Sequence, residues 1–293
     1  MLKVAAVQFT CRGDAQNNLS KALELASLAV ERGAGLLAFP ELCTTRWFPS
    51  RMRQGNFELA ETVPGPSVSQ VSRFAAQNGV VVVFPLFEKA GKGRYYNSAA
   101  VIDADGDILG VYRKVHVPNV MGWHEKFYFL PGDRGFPVFR TRVGFIGVQL
   151  SWDVYFPEGS RILALKGAQL VVVPTSNAHA SHERWESMIA GNALANSLFY
   201  LRVNRVGREE KQSFYGKSFC MNPHGEMVHK AAGSRDSVHL SEIDLSEVSR
   251  TRQEWAFFRD RREEQYAEIG NRLPGADELG LPAGLYSGEM GDE

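Results

Sequence analysis

The 293 residues carry 33 basic and 33 acidic side chains, 44% hydrophobic residues and three cysteines. This apolar fraction supports one large domain or two of ordinary size and excludes a disordered chain. A formal charge of zero, without a dense Lys or Arg run, gives no footprint for nucleic acid or an anionic membrane surface and favours small-molecule chemistry.

Cys11, Cys43 and Cys220 are odd in number and widely spaced, with no C-x-x-C pair. Neither a disulfide framework nor a zinc site is expected, and a reducing cytoplasm fits. No apolar run approaches the ~18 residues that span a bilayer. The start, Lys3 to Phe9 (KVAAVQF), is too short for a signal-peptide core and reads as a first buried strand. Asn17-Asn18 offer N-caps for a helix with apolar positions at Leu19, Ala22, Leu23, Ala26, Ala29 and Val30, stopped by Gly33. Gly35 to Phe39 (GLLAF) is a strand-length apolar run ending in Pro40-Glu41, which completes a βαβ unit. A helix from about Ser67 to Gln77 follows, then a strand from Val80 to Phe84 ending at Pro85. Strands Ser98 to Ile102 and Ile108 to Tyr112 flank an Asp105-Gly106 turn.

The second half repeats this outline. Val143 to Leu150 (VGFIGVQL) echoes the first strand, a helix from Pro157 to Lys166 follows, and Ala168 to Pro174 (AQLVVVP) echoes the second strand. A third helix is expected from Glu183 to Phe199. Strands near Leu201 to Val206 and Ser218 to Met221 come next, with a hairpin turn at Pro223 to Glu226. Two similar halves of one α/β domain over residues 1–270 are suggested, with chance likeness between apolar βαβ units as the alternative, and 271–293, rich in Gly, Pro and acid, as a tail that docks at an interface or stays poorly ordered.

Ligands of open α/β sheets gather beyond the carboxyl ends of strands, so polar residues directly after apolar runs are the first candidates. Glu41 follows LLAFP and is expected partly out of water, the placement of a usable base; a solvated loop glutamate fits the same spacing. Lys114, just past a strand, suits oxyanion stabilisation or plain exposure. Glu125 lies in an aromatic stretch beside Lys126, where a surface ion pair is the alternative. Ser151, between a buried strand and a helix start, has elbow geometry for a nucleophile, with the Trp152 N–H next to it as an oxyanion donor.

FPEL, YRKVHVP, HEKFYFLPGD, WD-x-x-FPE, NALAN, NRVG and FYGKSF occur in this order, and with them the chain resembles the nitrilase superfamily of carbon–nitrogen hydrolases, in particular its N-carbamoylputrescine amidase branch. The resemblance implies a four-layer α-β-β-α sandwich and a homodimer or larger homo-oligomer. It implies no metal and no organic cofactor. Glu41 takes the place of the general base, Lys114 of the oxyanion stabiliser and Glu125 of a supporting carboxylate. Ser151 stands where the family has a nucleophilic cysteine.

That departure matters because a serine hydroxyl is a much weaker acid than a thiol. Three readings are open: a Cys→Ser change that traps substrate, a member that has lost activity, and a serine-using variant. The intact Glu41, Lys114 and Glu125 favour the first. The implied substrate is a small amide or ureido compound, with nitriles and aliphatic or aryl amides as alternatives. Relatives acting on N-carbamoyl amino acids commonly present arginine soon after the nucleophile's Asp; Val154 and Tyr155 occupy those places, which disfavours a carboxylate-bearing substrate unless a cation comes from elsewhere.

Trp47, Trp123, Tyr155, Thr175 and Asn177 are the candidate substrate contacts; core packing is the alternative for the aromatic ones and is preferred for Phe48. A serine hydrolase would need a histidine partner for Ser151, and G-x-S-x-G is absent. His179-x-x-His182-Glu183 lacks a third metal ligand. A non-catalytic binding protein remains the rival from another class.

Overall fold

Strand and helix alternate through the first half as the periodicity predicts: β1 Leu2–Gln8, α1 Ala15–Glu31, β2 Leu36–Ala38, α2 Pro66–Asn78, β3 Val81–Lys89, β4 Tyr95–Ile102 and β5 Ile108–Arg113. The computed structural model describes residues 1–178 and 181–271. A short hairpin, β6 Asn119–Val120 and β7 Trp123–His124, leads to the single turn α3 Glu125–Tyr128. The second half runs β8 Val138–Thr141, β9 Gly144–Val148, α4 Pro157–Leu165, β10 Leu170–Thr175, α5 His182–Asn196 and β11 Phe199–Asn204. It closes with the hairpin β12 Val206–Glu209 and β13 Gln212–Tyr215, then β14 Phe219–Met221, β15 Ser237–Ile243 and α6 Glu247–Glu254.

One sheet has the order β15-β1-β2-β3-β4-β5 and the other β14-β11-β10-β9-β8. In each, three parallel strands are followed by an antiparallel one: β1, β2, β3 and β4 in the first, β9, β10, β11 and β14 in the second. The expected two-half repeat is therefore present in the topology. The sheets meet through β1 and β11, with α1 and α2 packed on the first, α5 on the second, and α4 beside α5 with its Leu163 against Gly147 of β9. This is the expected α-β-β-α sandwich. Between the first sheet and its helices lie Val7, Phe9, Leu37, Phe39, Val82 and Phe84 with Leu19, Ala22, Ala26 and Val71, all buried.

Several boundaries differ from expectation. The N-cap of α1 is Asp14, whose carboxylate accepts the Asn17 N–H at 2.8 Å, and Asn17 itself is helical. Asn18 is buried, accepting from the Arg12 N–H at 2.7 Å and donating to the Thr44 carbonyl at 3.0 Å. β3 continues through Pro85 because β2 pairs only as far as Val83. Pro85 falls in the gap between that pairing and the bridge from Glu61 to Glu88, where a residue without an N–H is tolerated.

Residues Met1–Trp255 form one compact unit; a second begins at Ala256 and has two 3-10 turns, Glu263–Gln265 and Ala267–Gly270. His179 and the tail from Leu273 lie outside the described residues. Among the described residues no helix is long and apolar enough to cross a membrane.

Candidate active site

The strand ends bring three charged side chains into one buried cluster. Glu41 follows β2, Lys114 follows β5 directly and Glu125 opens α3. All three are at most 1% exposed, which removes the surface alternatives for each. The Lys114 Nζ donates to Glu41 Oε1 at 2.8 Å and to Glu125 Oε2 at 2.7 Å. Asn97, from β4, donates to the same two oxygens at 2.8 and 3.4 Å. The Ser176 N–H reaches Glu41 Oε2 at 3.1 Å.

Burial acts to lower the Lys114 ammonium, but the carboxylates of Glu125 and Glu41 outweigh it and hold the group above the ordinary lysine value. Glu125 is pushed up to about 7, by burial first, with Lys114 opposing and the neighbouring Glu41 adding to the rise.

Backbone placement of this cluster is tight. The Gly132 N–H donates to the Lys114 carbonyl at 2.7 Å, and a Cβ at Gly132 would stand 2.2 Å from the Arg113 carbonyl oxygen, so only glycine fits this approach. Arg205, fully buried after β11, donates to the carbonyls of Glu41, Leu42 and Thr45 at 3.0, 2.9 and 3.0 Å and pairs with Glu209 at 2.8 Å. It holds the loop that carries Glu41.

Ser151 stands half-buried beyond the carboxyl end of β9, opening a 3-10 turn, with φ of +47°. A non-glycine residue in this region is strained, the local signature of a nucleophile elbow. Asp153 secures the elbow: its Oδ2 accepts the Leu150 N–H at 2.9 Å and the Tyr112 hydroxyl at 2.6 Å, and its Oδ1 accepts the His116 N–H at 2.9 Å. Asp153 thus ties the Ser151 turn to the segment carrying Lys114, while Ser176, at the end of neighbouring β10, ties that side to Glu41. The His116 ring bonds Asp153 at 2.9 Å and stacks on Phe156 at 3.6 Å; among the described residues no histidine hydrogen-bonds Ser151. Nor does a native cysteine stand in for a thiolate. All three are buried, and burial pushes Cys11 up to about 11, Cys220 up to about 12 and Cys43 well above its usual range.

The remaining candidates divide. Trp47 and Trp123 belong to a buried aromatic cluster with Phe48, Phe87, Tyr128 and Phe214, and the Trp47 indole N–H is taken by the Gly122 carbonyl at 3.1 Å. Phe48 stacks on Phe87 at 5.0 Å, the core role preferred for it. The Thr175 hydroxyl is used internally, donating to the Val203 carbonyl at 2.9 Å. Asn177 is half-buried, its N–H held by Asn204 Oδ1 at 2.9 Å. Tyr155 is half-buried between Trp152 and Trp185, with ring centroids 5.3 and 5.0 Å away. Trp152 is 38% exposed. Asn97 carries no sequence signal; Asp153 and Arg205 lie within the WD-x-x-FPE and NRVG motifs and Ser176 within the polar segment 175–177 that follows an apolar run, but the sequence assigns none of the three its anchoring role.

A family model for carbon-nitrogen hydrolases matches residues 3–253. The chain belongs to the carbon-nitrogen hydrolase family. This carbon-nitrogen hydrolase is 36% identical over 282 residues to an N-carbamoylputrescine amidase of Solanum lycopersicum, covering 91% of this chain and 94% of that one. It is also 36% identical to a citrullinase of Francisella tularensis subsp. tularensis, covering 92% and 98% of the two chains. A solved carbon-nitrogen hydrolase from Helicobacter pylori G27 superposes with a TM-score of 0.90 at 32% identity, over 93% of this chain and 99% of that one.

Proposed function

We propose that the protein hydrolyses a non-peptide C–N bond of a small amide or N-carbamoyl amine, with an N-carbamoylputrescine-like ureido group as the reacting end, and that Ser151 makes it a Cys→Ser form of low activity. The observation that carries this reading is the Lys114 ammonium held by two buried carboxylates, Glu41 at 2.8 Å and Glu125 at 2.7 Å. Glu41 takes the proton of the nucleophile as it attacks the carbonyl carbon. Lys114 and the Trp152 N–H stabilise the tetrahedral oxyanion. The amine or ammonia leaves with that proton, and an acyl ester of Ser151, or a thioester after Ser151→Cys, remains. Water, deprotonated by Glu41, then releases the acid. No metal or organic cofactor enters these steps. Three free, buried cysteines are consistent with action in a reducing cytoplasm. The relatives' family supports a homodimer or larger assembly.

A second reading, a silent small-molecule binder, is favoured only by Ser151 itself. Ammonia release measured over a panel of N-carbamoyl amines, amides and nitriles separates the two. Ser151→Cys is expected to raise kcat by about 100-fold or more, since a thiolate is the far better nucleophile. Background turnover across the whole panel, with binding retained, would instead support the binder.

A further inference from the structure

Among the described residues four cationic side chains are buried: Arg113, Lys114, Arg202 and Arg205. Three carry carboxylates, Arg113 pairing with Glu88 and Asp133, Lys114 with Glu41 and Glu125, and Arg205 with Glu209. Arg202, on β11 and 0% exposed, pairs with none. Its Nη2 donates to the Tyr215 hydroxyl at 3.0 Å and its Nη1 to the Lys217 carbonyl at 3.4 Å, while its Nε–H is buried without an acceptor. The guanidinium lies over the rings of Trp185, Tyr215 and Phe219, 4.8, 5.5 and 5.7 Å from their centroids. The Trp185 indole N–H is likewise buried without an acceptor.

Two stacked side chains therefore each keep an unused donor, and one bears a full charge. Leaving such a charge unpaired out of water is strongly unfavourable, and three ring faces and two neutral acceptors offset only part of that. Burial alone holds the guanidinium below the usual arginine value, and Glu186, though its charge is felt, forms no ion pair. The cluster is also next to the chemistry. Trp185 meets Tyr155 edge to face at 5.0 Å, and Tyr155 ends the turn that Ser151 opens. Tyr155 and Tyr215 are half-buried at its rim.

We propose that Arg202 and the Trp185 indole N–H receive the carboxylate of the substrate, so that the substrate class is an ω-ureido or ω-amido carboxylate. This rests on the carbon–nitrogen hydrolase reading and supplies the cation that positions 154 and 155 lack. A carboxylate completes the guanidinium's pairing and gives both orphan donors an acceptor.

The test is calorimetric binding to the Ser151 protein, which needs no turnover, using N-carbamoyl-ω-amino acids and alkylureas of matched chain length. The carboxylates are expected to bind about tenfold or more tighter than the alkylureas. Arg202→Met erases that preference and leaves alkylurea affinity within about threefold, Arg202→Lys retains part of it, and Trp185→Phe weakens the carboxylates alone. Thermal midpoints identify any variant that fails to fold, and Trp185→Phe, which keeps a ring in place, gives an independent reading. Equal affinity for carboxylate and alkylurea, or a uniform loss for both in Arg202→Met, overturns the assignment while leaving C–N hydrolysis intact. If no member of either series binds and Ser151→Cys turns over nothing, the hydrolase reading itself falls and this one with it.

Discussion

Lys114 neutralises two carboxylates that would otherwise face each other out of water, so its removal reports on the whole cluster. Lys114→Met is expected to lower stability by about 3–5 kcal/mol at neutral pH, because it leaves uncompensated buried charge. Urea titration checks this, and a loss under 1 kcal/mol would mean the cluster is not electrostatically coupled as described. Glu125 makes a pH prediction. Its carboxyl is raised from 4.5 to about 7 in the fold, so between those values the unfolded chain loses the proton that the folded chain keeps. Stability from this group is thus fully present below about 4.5, falls as pH rises and is lost above about 7. Glu125→Gln cannot titrate and is expected to flatten that fall in urea midpoints taken from pH 4.5 to 8; an unchanged slope contradicts the assignment. From spacing alone Glu41, Lys114 and Glu125 were each ambiguous, and only their order among the other motifs picked them out. Asn97 and Arg202 left no trace in the sequence, because their meaning depends on which buried groups other strands bring opposite them.

At the scale of elements, placement rests on backbone contacts that local substitutions can break. Gly132→Ala drives a methyl into the Arg113 carbonyl and should displace Lys114, lowering kcat of the Ser151→Cys enzyme by at least about tenfold. Activity within twofold of that parent would show that the approach can relax. The apolar runs of β1, β2, β3, β9 and β10 were legible because both faces are buried, and α1 and α4 because their apolar positions recur at helical spacing. β15, four of whose seven residues are only partly buried in a row, and the polar β12–β13 hairpin were not, since their pairing comes from partners far along the chain. Tertiary context likewise carried β3 through Pro85, where local chemistry reads as a stop.

For the whole molecule, the two-half repeat sets the position of the site. The carboxyl ends of β2 and β10, equivalent strands of the two halves, meet where the Glu41 N–H bonds the Thr175 carbonyl at 3.3 Å. Sedimentation is expected to give a mass that is two or more times 32.6 kDa, and a monomer would contradict the proposed assembly. The sandwich itself was foreseen from the resemblance, whereas composition allowed two separate domains. The central claim is that position 151 carries the acyl group while Glu41 and Lys114 work on it. Its most direct test is mass spectrometry of acid-quenched Ser151→Cys protein turning over an amide. The account predicts an acyl adduct on the peptide containing position 151, absent from the Ser151→Ala control; turnover with no adduct there, or an adduct elsewhere, would contradict it.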